Sequence, residues 1–275
     1  MDTHDEHCDL CDLPRSQCIH GRPPPVPKVA APMAVPAVAL PESASLWDNV
    51  PKPVHSDQIL TMEDVNQAYG YILYRTHLKN AAAGQLKLDE LHSYAQVYLD
   101  GKLVGTLDRR LKQDTLALPA AKNGQLDILV ENTGRVNFGK TIVGERAGIT
   151  KQVTLNGTPL TGWEIYPLPM TAVDKLHYSH KPCQGACFYR GSFNLAATAD
   201  TFLDTSEFSK GELWLNGQPL GRIWNIGPQK ALYAPAPWLA KGRNELVVFD
   251  LNGKPGHTVR GLEKPVLNGT NAAKP

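Results

Sequence analysis

The strand plan of this chain is written twice, and any fold must accommodate both copies. Val97 to Leu107 reads VYLDGKLVGTL, and 116 residues further on Leu213 to Ile223 reads LWLNGQPLGRI. LALP from Leu116 returns as LYAP from Leu232 at the same offset, and LDILVEN from Leu126 corresponds to NELVVFD from Asn244 after a small insertion. Each copy therefore holds a hairpin, a proline-bearing corner and a hydrophobic strand in one order. Self-similarity of this kind marks two units of one architecture. A copy of about 100 residues suits a β-sandwich, and two copies are too few for the blades of a propeller.

Local chemistry agrees. Tyr94 to Leu99 (YAQVYL) is rich in strand formers and ends at Asp100-Gly101, after which Leu103 to Leu107 resumes the pattern; Asn216-Gly217 holds the same place in the second copy. Such pairs between two strand-like runs signal hairpins, because a type I′ turn needs positive φ at both central residues. Leu126 to Val130 makes a further strand. Helical patterning reduces to a short turn at Met62 to Gln67, with Thr61 as its cap. The fold class is all-β.

Composition then limits the function classes. The chain is 42% hydrophobic and 20% charged, near the average of globular domains. A net charge of +1 leaves no broad field to draw in nucleic acid or an anionic membrane. No apolar run reaches the roughly 18 residues of a membrane helix, and the acidic, Cys/His-rich start does not read as a signal peptide. Residues 1–22 read as a disordered Cys/His leader. Residues 23–45 read as a Pro/Ala-rich linker, since repeated prolines remove donors and favour extended chain. The two sandwiches are then expected at 46–150 and 151–267, followed by a disordered tail at 268–275.

Four segments carry a family resemblance: VHSDQILTMEDVNQAYGYILYRT (Val54–Thr76), GRVNFG (Gly134–Gly139), GACFYRGSF (Gly185–Phe193) and LWLNGQPLGRIWNIGPQKALYAPAPWL (Leu213–Leu239). Together they resemble the C-terminal half of glycoside hydrolase family 35 β-galactosidases over roughly residues 37–267. The resemblance implies two galactose-binding-like jelly-roll domains that, in a complete enzyme, pack around a catalytic (β/α)₈ barrel. It also implies that the two carboxylates of a retaining glycosidase, about 5 Å apart, sit on that barrel. Residues 1–36 cannot supply eight βα units, which take about 250 residues. The expectation is a non-catalytic accessory fragment, inactive on its own, whose partner is a catalytic barrel from another chain or a galactoside glycan. A free-standing carbohydrate-binding module and a zinc-binding interaction protein acting through residues 1–22 are the alternatives. Family members are often secreted, periplasmic or lysosomal; the sequence does not assign a compartment to this chain.

Individual residues sharpen these options. Cys8, Cys11, Cys18 and His20 have the ligand types of a Cys₃His zinc site, with His4 and His7 as substitutes for His20; the plain alternative is incidental cysteines in a leader. Cys183 and Cys187 are expected as free thiols, although a short disulfide ring is open to them. Aromatic faces suit the apolar face of galactose, and Trp163 and Trp224, beside turn residues, are the candidates for sugar contact. Trp47, Trp214 and Trp238 read as packing residues, Trp238 as a corner anchor. Glu131 and Glu245 each adjoin an asparagine, as barrel carboxylates do, but their places in the repeat make them solvent-facing strand residues. Arg135, Asn137, Arg190 and Arg222 are expected to hold loops by hydrogen bonding, and His177 and His180 to lie in a solvated loop.

Overall fold

A computed structural model describes residues 30–253 and 256–268. The chain enters through β1 (Val35–Ala39) and β2 (Glu42–Ser45). A first sandwich follows from β3 (Val54–Ser56), β4 (Tyr71–Ala81), β5 (Gly84–Leu88), β6 (Leu91–His92), β7 (Tyr94–Leu99), β8 (Lys102–Asp108), β9 (Thr115–Leu118), β10 (Ala121–Glu131), β11 (Gly148–Ile149), β12 (Val153–Leu155), β13 (Thr158–Pro159) and β14 (Trp163–Leu168). The chain then returns to a second sandwich with β15 (Gly185–Leu195), β16 (Thr201–Asp204), β17 (Lys210–Leu215), β18 (Gln218–Trp224), β19 (Ala231–Ala234), β20 (Gly242–Gly253) and β21 (Thr258–Leu262). Among the described residues the only helices are short 3₁₀ turns, and none is long and apolar enough to cross a membrane. The expected turn at Met62 is present without a helix. Thr61 caps it reciprocally, its amide donating to Asp64 at 2.9 Å while the Asp64 amide meets Thr61 Oγ1 at 3.4 Å.

The repeat becomes one strand order used twice. In the first sandwich the large sheet runs β3-β14-β4-β10-β7-β8; in the second it runs β18-β17-β20-β15-β2. The neighbours β4-β10-β7-β8 are thus matched by β15-β20-β17-β18. Both hairpin turns take the expected positive φ, 51° and 73° at Asp100-Gly101 and 50° and 77° at Asn216-Gly217. Both hairpins also bulge at the same step, between Val97 and Tyr98 and between Leu213 and Trp214. Each large sheet is backed by a four-stranded one, β13-β12-β5-β9 in the first sandwich and β1-β21-β16-β19 in the second.

The expected borders move. Residues 35–45, assigned to the linker, supply two strands of the second sandwich: Val38 faces Val259 on β21, and Ala44 faces Phe188 on β15. The prolines permit this because β1 lies at a sheet edge with Pro36 exposed, while Val35 and Val38 bury their side chains inward. The border expected at 150/151 falls inside the first sandwich, since β12 pairs with β5 and β14 with β4. Cys183 and Cys187, expected as free thiols, form a disulfide with their Cα atoms 6.2 Å apart. The Gly185 backbone between them, at φ 80°, supplies the turn.

Both large sheets are covered on both faces. In β4, Ile72 and Tyr74 point into the first sandwich while Tyr71 and Leu73 point out of it, and all four are buried. In β20, Leu246 and Val248 point into the second sandwich while Val247 and Phe249 point out. The outward faces meet each other, and Tyr71, Leu129, Tyr166, Phe188, Trp214 and Phe249 form a third apolar layer between the sandwiches. This explains the unbroken runs YILY, ACFY and LVVF where a half-exposed strand would alternate. Phe188 lies with its ring 4.6 Å from Phe249 and 6.5 Å from Trp214. Phe188→Ala is expected to cost about 3–5 kcal/mol by loss of burial and an unfilled cavity, read as a lowered denaturation midpoint.

Candidate functional site

The apolar layer ends in a cluster of charges. Glu131 is the last residue of β10, on the face that points out of the first sandwich, and is 2% exposed. Its carboxylate lies 2.7 Å from Lys210 Nζ and 3.0 Å from Arg222 Nε, both on strands of the second sandwich. The Lys210 ammonium stands 3.4 Å from the Trp224 ring centroid and 4.8 Å from that of Tyr94. The Arg110 guanidinium stacks 4.0 Å from the same indole and is forked onto Asp108. Burial lowers the Lys210 pKa, and the Glu131 charge opposes that shift. Two buried charges removed from water in this way must be paired and packed to be tolerated. Glu212, on the same face of β17, has its carboxyl pushed up to about 7, first by burial and then by the Glu131 charge.

These placements revise several expectations. Glu131 is a buried tie between sandwiches, because at this end of β10 the outward face is covered by the second sandwich. Glu245 is partly exposed on β20, 3.5 Å from Arg243. Trp163 is 1% exposed in the first core, donates from Nε1 to the Leu160 carbonyl at 3.1 Å and meets Tyr74 edge-on, so no ring face is open to a sugar. Trp224 has its ring engaged by Lys210 and Arg110. Trp214 is buried as expected. Trp238 is 38% exposed and is no buried corner anchor. Arg135 reaches Glu63 and the Ala68 carbonyl, and Arg190 forks onto Glu42 while stacking over Tyr178. Cys8, Cys11, Cys18 and His20 lie outside the described residues, among which no group of three or more His, Cys, Asp or Glu side chains is placed to hold a metal.

At the loop end of the first sandwich lies an open cavity of about 830 Å³, lined by His92, Arg109, Lys112, Asp114, Glu145 and Lys151 among others. Glu145 accepts from Arg109 at 2.8 Å, lies 3.3 Å from His92 Nδ1, and is held below the usual carboxylate range by the Arg109 hydrogen bond against the effect of its burial. Lys151 pairs with Glu90 at 2.7 Å, and Arg146 pairs with Asp64. Most charges of the cavity stand in ion pairs, an arrangement suited to orienting a polar surface more than to polarising a bond. Beside it the loop over residues 134–146 exposes Phe138 at 87% and Val143 at 90%. The sequence singled out this loop only through GRVNFG; its exposure follows from the apolar residues having no sheet to cover them.

Two like antiparallel sandwiches joined through a desolvated face, with Glu131 of one tied to Lys210 and Arg222 of the other, define a double β-sandwich protein. Residues 60–169 match the family described as beta-galactosidase, first all-beta domain, and residues 186–244 match beta-galactosidase, galactose-binding domain. The chain belongs to the β-galactosidase family through these two domains. It is 45% identical over 215 residues to a beta-galactosidase of Xanthomonas manihotis, covering 77% of this chain and 36% of that protein. It is 36% identical over 248 residues to human beta-galactosidase-1-like protein 2, covering 83% of this chain and 38% of that protein. The chain thus spans well under half the length of these relatives. A solved GH2 beta-galacturonidase from Eisenbergiella tayi aligns over 79% of this chain and 38% of its own, at 10% identity and a TM-score of 0.27, too distant to bear on function.

The charge cluster makes two testable demands. Glu131→Gln leaves Lys210 and Arg222 without their counter-charge and is expected to destabilise the chain by about 3–5 kcal/mol, with partial recovery when Lys210→Met is added, read by chemical denaturation. For Glu212, the folded carboxyl titrates near 7 against the usual value of 4.5. Its contribution is therefore full below pH about 4.5 and is lost as pH rises through 7. Glu212→Gln should match the parent chain at low pH and exceed its melting temperature above neutrality.

Proposed function

We propose that these residues form the non-catalytic, architecture-giving part of a β-galactosidase, with the bond-breaking carboxylates on a domain outside them. The observation that carries this reading is the state of Glu131, which with Glu245 is one of two acidic residues whose neighbouring asparagine resembles the context of a barrel carboxylate. It is buried between Lys210 and Arg222 and has no open face for a substrate. The matches to two all-β domains, and the length of the relatives beyond them, support the same reading. The rigid join serves it physically: a partner domain meets two sandwiches already fixed in relation to each other, which spares the cost of ordering them on contact. The exposed loop at 134–146, with apolar tips beside a cavity of paired charges, has the chemistry of a surface made to be covered by such a domain.

The test is turnover. The purified chain should not hydrolyse a nitrophenyl β-galactoside above the buffer rate, and it should bind a separately produced barrel domain of the Xanthomonas relative, with binding lost in Phe138→Asp. Hydrolysis that follows the chain through purification and disappears in a Glu131→Gln variant of unchanged circular dichroism would overturn the proposal.

A further inference from the structure

Two carboxylates compete for one guanidinium where the sandwiches join. Glu212 on β17 and Arg222 on β18 are direct cross-strand partners, and side chains so placed begin about 4.5–5.5 Å apart at Cβ. Arg222 nevertheless directs its Nε to Glu131 of the first sandwich, at 3.0 Å. Glu212 is left with neither a hydrogen bond nor an ion pair among the described residues. We propose that Glu212 is a proton sensor that decides which carboxylate Arg222 serves. Protonated, it leaves the guanidinium bridging the two sandwiches; ionised, it draws Arg222 back within the second sandwich and loosens the join.

The surroundings leave Arg222 as the group free to move. Lys210, Glu212 and Trp214 alternate along β17 on the face that meets the first sandwich. The charged and titratable groups facing Glu212 are Glu131 on β10, Tyr71 on β4, Arg222 on β18 and Lys210 on its own strand. Its partner on β20, Phe249, is apolar, and the neighbouring Asp250 is engaged by Ser209 and the Lys210 amide. Tyr71 is fully buried, and that burial holds its phenol neutral. Lys210 is fixed 2.7 Å from Glu131 with its side chain 3% exposed, whereas the Arg222 side chain is 38% exposed. Of the two cations, only the arginine has room to exchange partners.

The repeat supplies an internal control. At the common offset of 116, Glu212 corresponds to Gln96 and Arg222 to Thr106, and these too are direct cross-strand partners. Gln96 is fully buried, donates from Nε2 to Asn252 Oδ1 of the second sandwich at 2.8 Å, and accepts from the Tyr98 hydroxyl at 2.6 Å. A carboxamide has the shape of a protonated carboxyl and never ionises near neutrality. The first copy therefore fills this place with a permanently neutral group and has no cation opposite. The strand plan requires neither the acid nor the arginine, and the second copy has both.

The direction of the switch follows from the charges. With the Glu212 carboxyl raised from 4.5 to about 7, the group is neutral on the acid side of neutrality, and Arg222 has Glu131 as its sole anionic partner. Above that point a second carboxylate appears beside Glu131 and repels it. It also offers Arg222 a partner on the adjacent strand of its own sheet, and Glu131 keeps Lys210 alone. Any partner seated across both sandwiches would meet a fixed frame below neutrality and a looser one above it. The switch lies within these two sandwiches and is independent of the accessory role proposed above, which a hydrolysis assay tests separately.

The experiment is an NMR titration of the whole chain, following the Glu212 side-chain carboxyl carbon and the Arg222 Nε–H, the latter assigned through Arg222→Lys. Both signals are expected to move together with a midpoint near 7. Hydrogen-exchange protection at the end of β10 should fall by about tenfold across the same transition. In Glu212→Gln the Arg222 signal and the protection should stay constant with pH. Circular dichroism checks the fold, and Glu212→Met takes the place of Glu212→Gln if the latter does not fold. A Glu212 carboxyl that titrates at its usual value would overturn the proposal. So would an Arg222 signal that ignores a Glu212 titrating near 7, because the proton would then move no partner. An Arg222 titration that persists in the Glu212 variants would overturn it as well, since another group would be the sensor.

Discussion

The apolar layer between the two large sheets belongs to neither sandwich alone, and the arrangement of the rest depends on it. Each of its aromatic and aliphatic side chains gains about 1.5–3 kcal/mol from leaving water, and neither sandwich could hide them by itself. The layer is closed at one side by Glu131 from one sheet and Lys210 and Arg222 from the other. Such a cluster adds little net stability, because desolvation of Glu131 and Lys210 offsets their attraction. Its effect is on geometry: any other seating of the two sheets would leave a buried charge without a partner. Apolar area supplies the driving force, and the ion cluster selects one register.

The path of the chain reinforces that join. Strands near the N-terminal side of the described residues, β1 and β2, finish the sandwich whose other strands come from the second half. Val35 meets Gly261 across nearly the whole described sequence. The first sandwich is therefore strung between two portions of the second. Pairings of such long separation close late in folding, after more local hairpins have formed. They also explain why the Pro-rich stretch is not merely a linker: its valines at 35 and 38 fill the second core, while its prolines occupy an edge where missing donors matter least.

What the sequence revealed was what depends on neighbours along the chain. The Asp100-Gly101 and Asn216-Gly217 turns, the strands around them and the Thr61 cap are local devices, and each is where its residues indicate. What it concealed was which face of a strand another sheet would cover. Trp163 follows a turn and reads as exposed, yet its side chain points into the first core. Glu131 alternates correctly with Val130, but its outward face is buried by the second sandwich. Trp238 errs in the other direction, because the prolines around it suggest an anchor where the structure leaves a ring in water. The continuous runs YILY and LVVF were the available signal for doubly covered sheets, since a strand with one wet face alternates.

The repeat also explains why the join can be so intimate. Tyr98 and Trp214 occupy equivalent places at the common offset, and both lie in the shared layer. The two copies therefore meet through the same face, in the manner of a two-fold contact between identical subunits. Near the axis of such a contact, equivalent residues approach each other. Tyr94 and Lys210 are equivalents in this sense, and the Lys210 ammonium stands 4.8 Å from the Tyr94 ring. Identical copies would set lysine against lysine there, which burial would not permit, or tyrosine against tyrosine, with no cation for Glu131. The observed pair solves both problems at once. The first copy contributes an aromatic face and a carboxylate and the second an ammonium, so the repeats differ at a place where perfect symmetry would have been less stable.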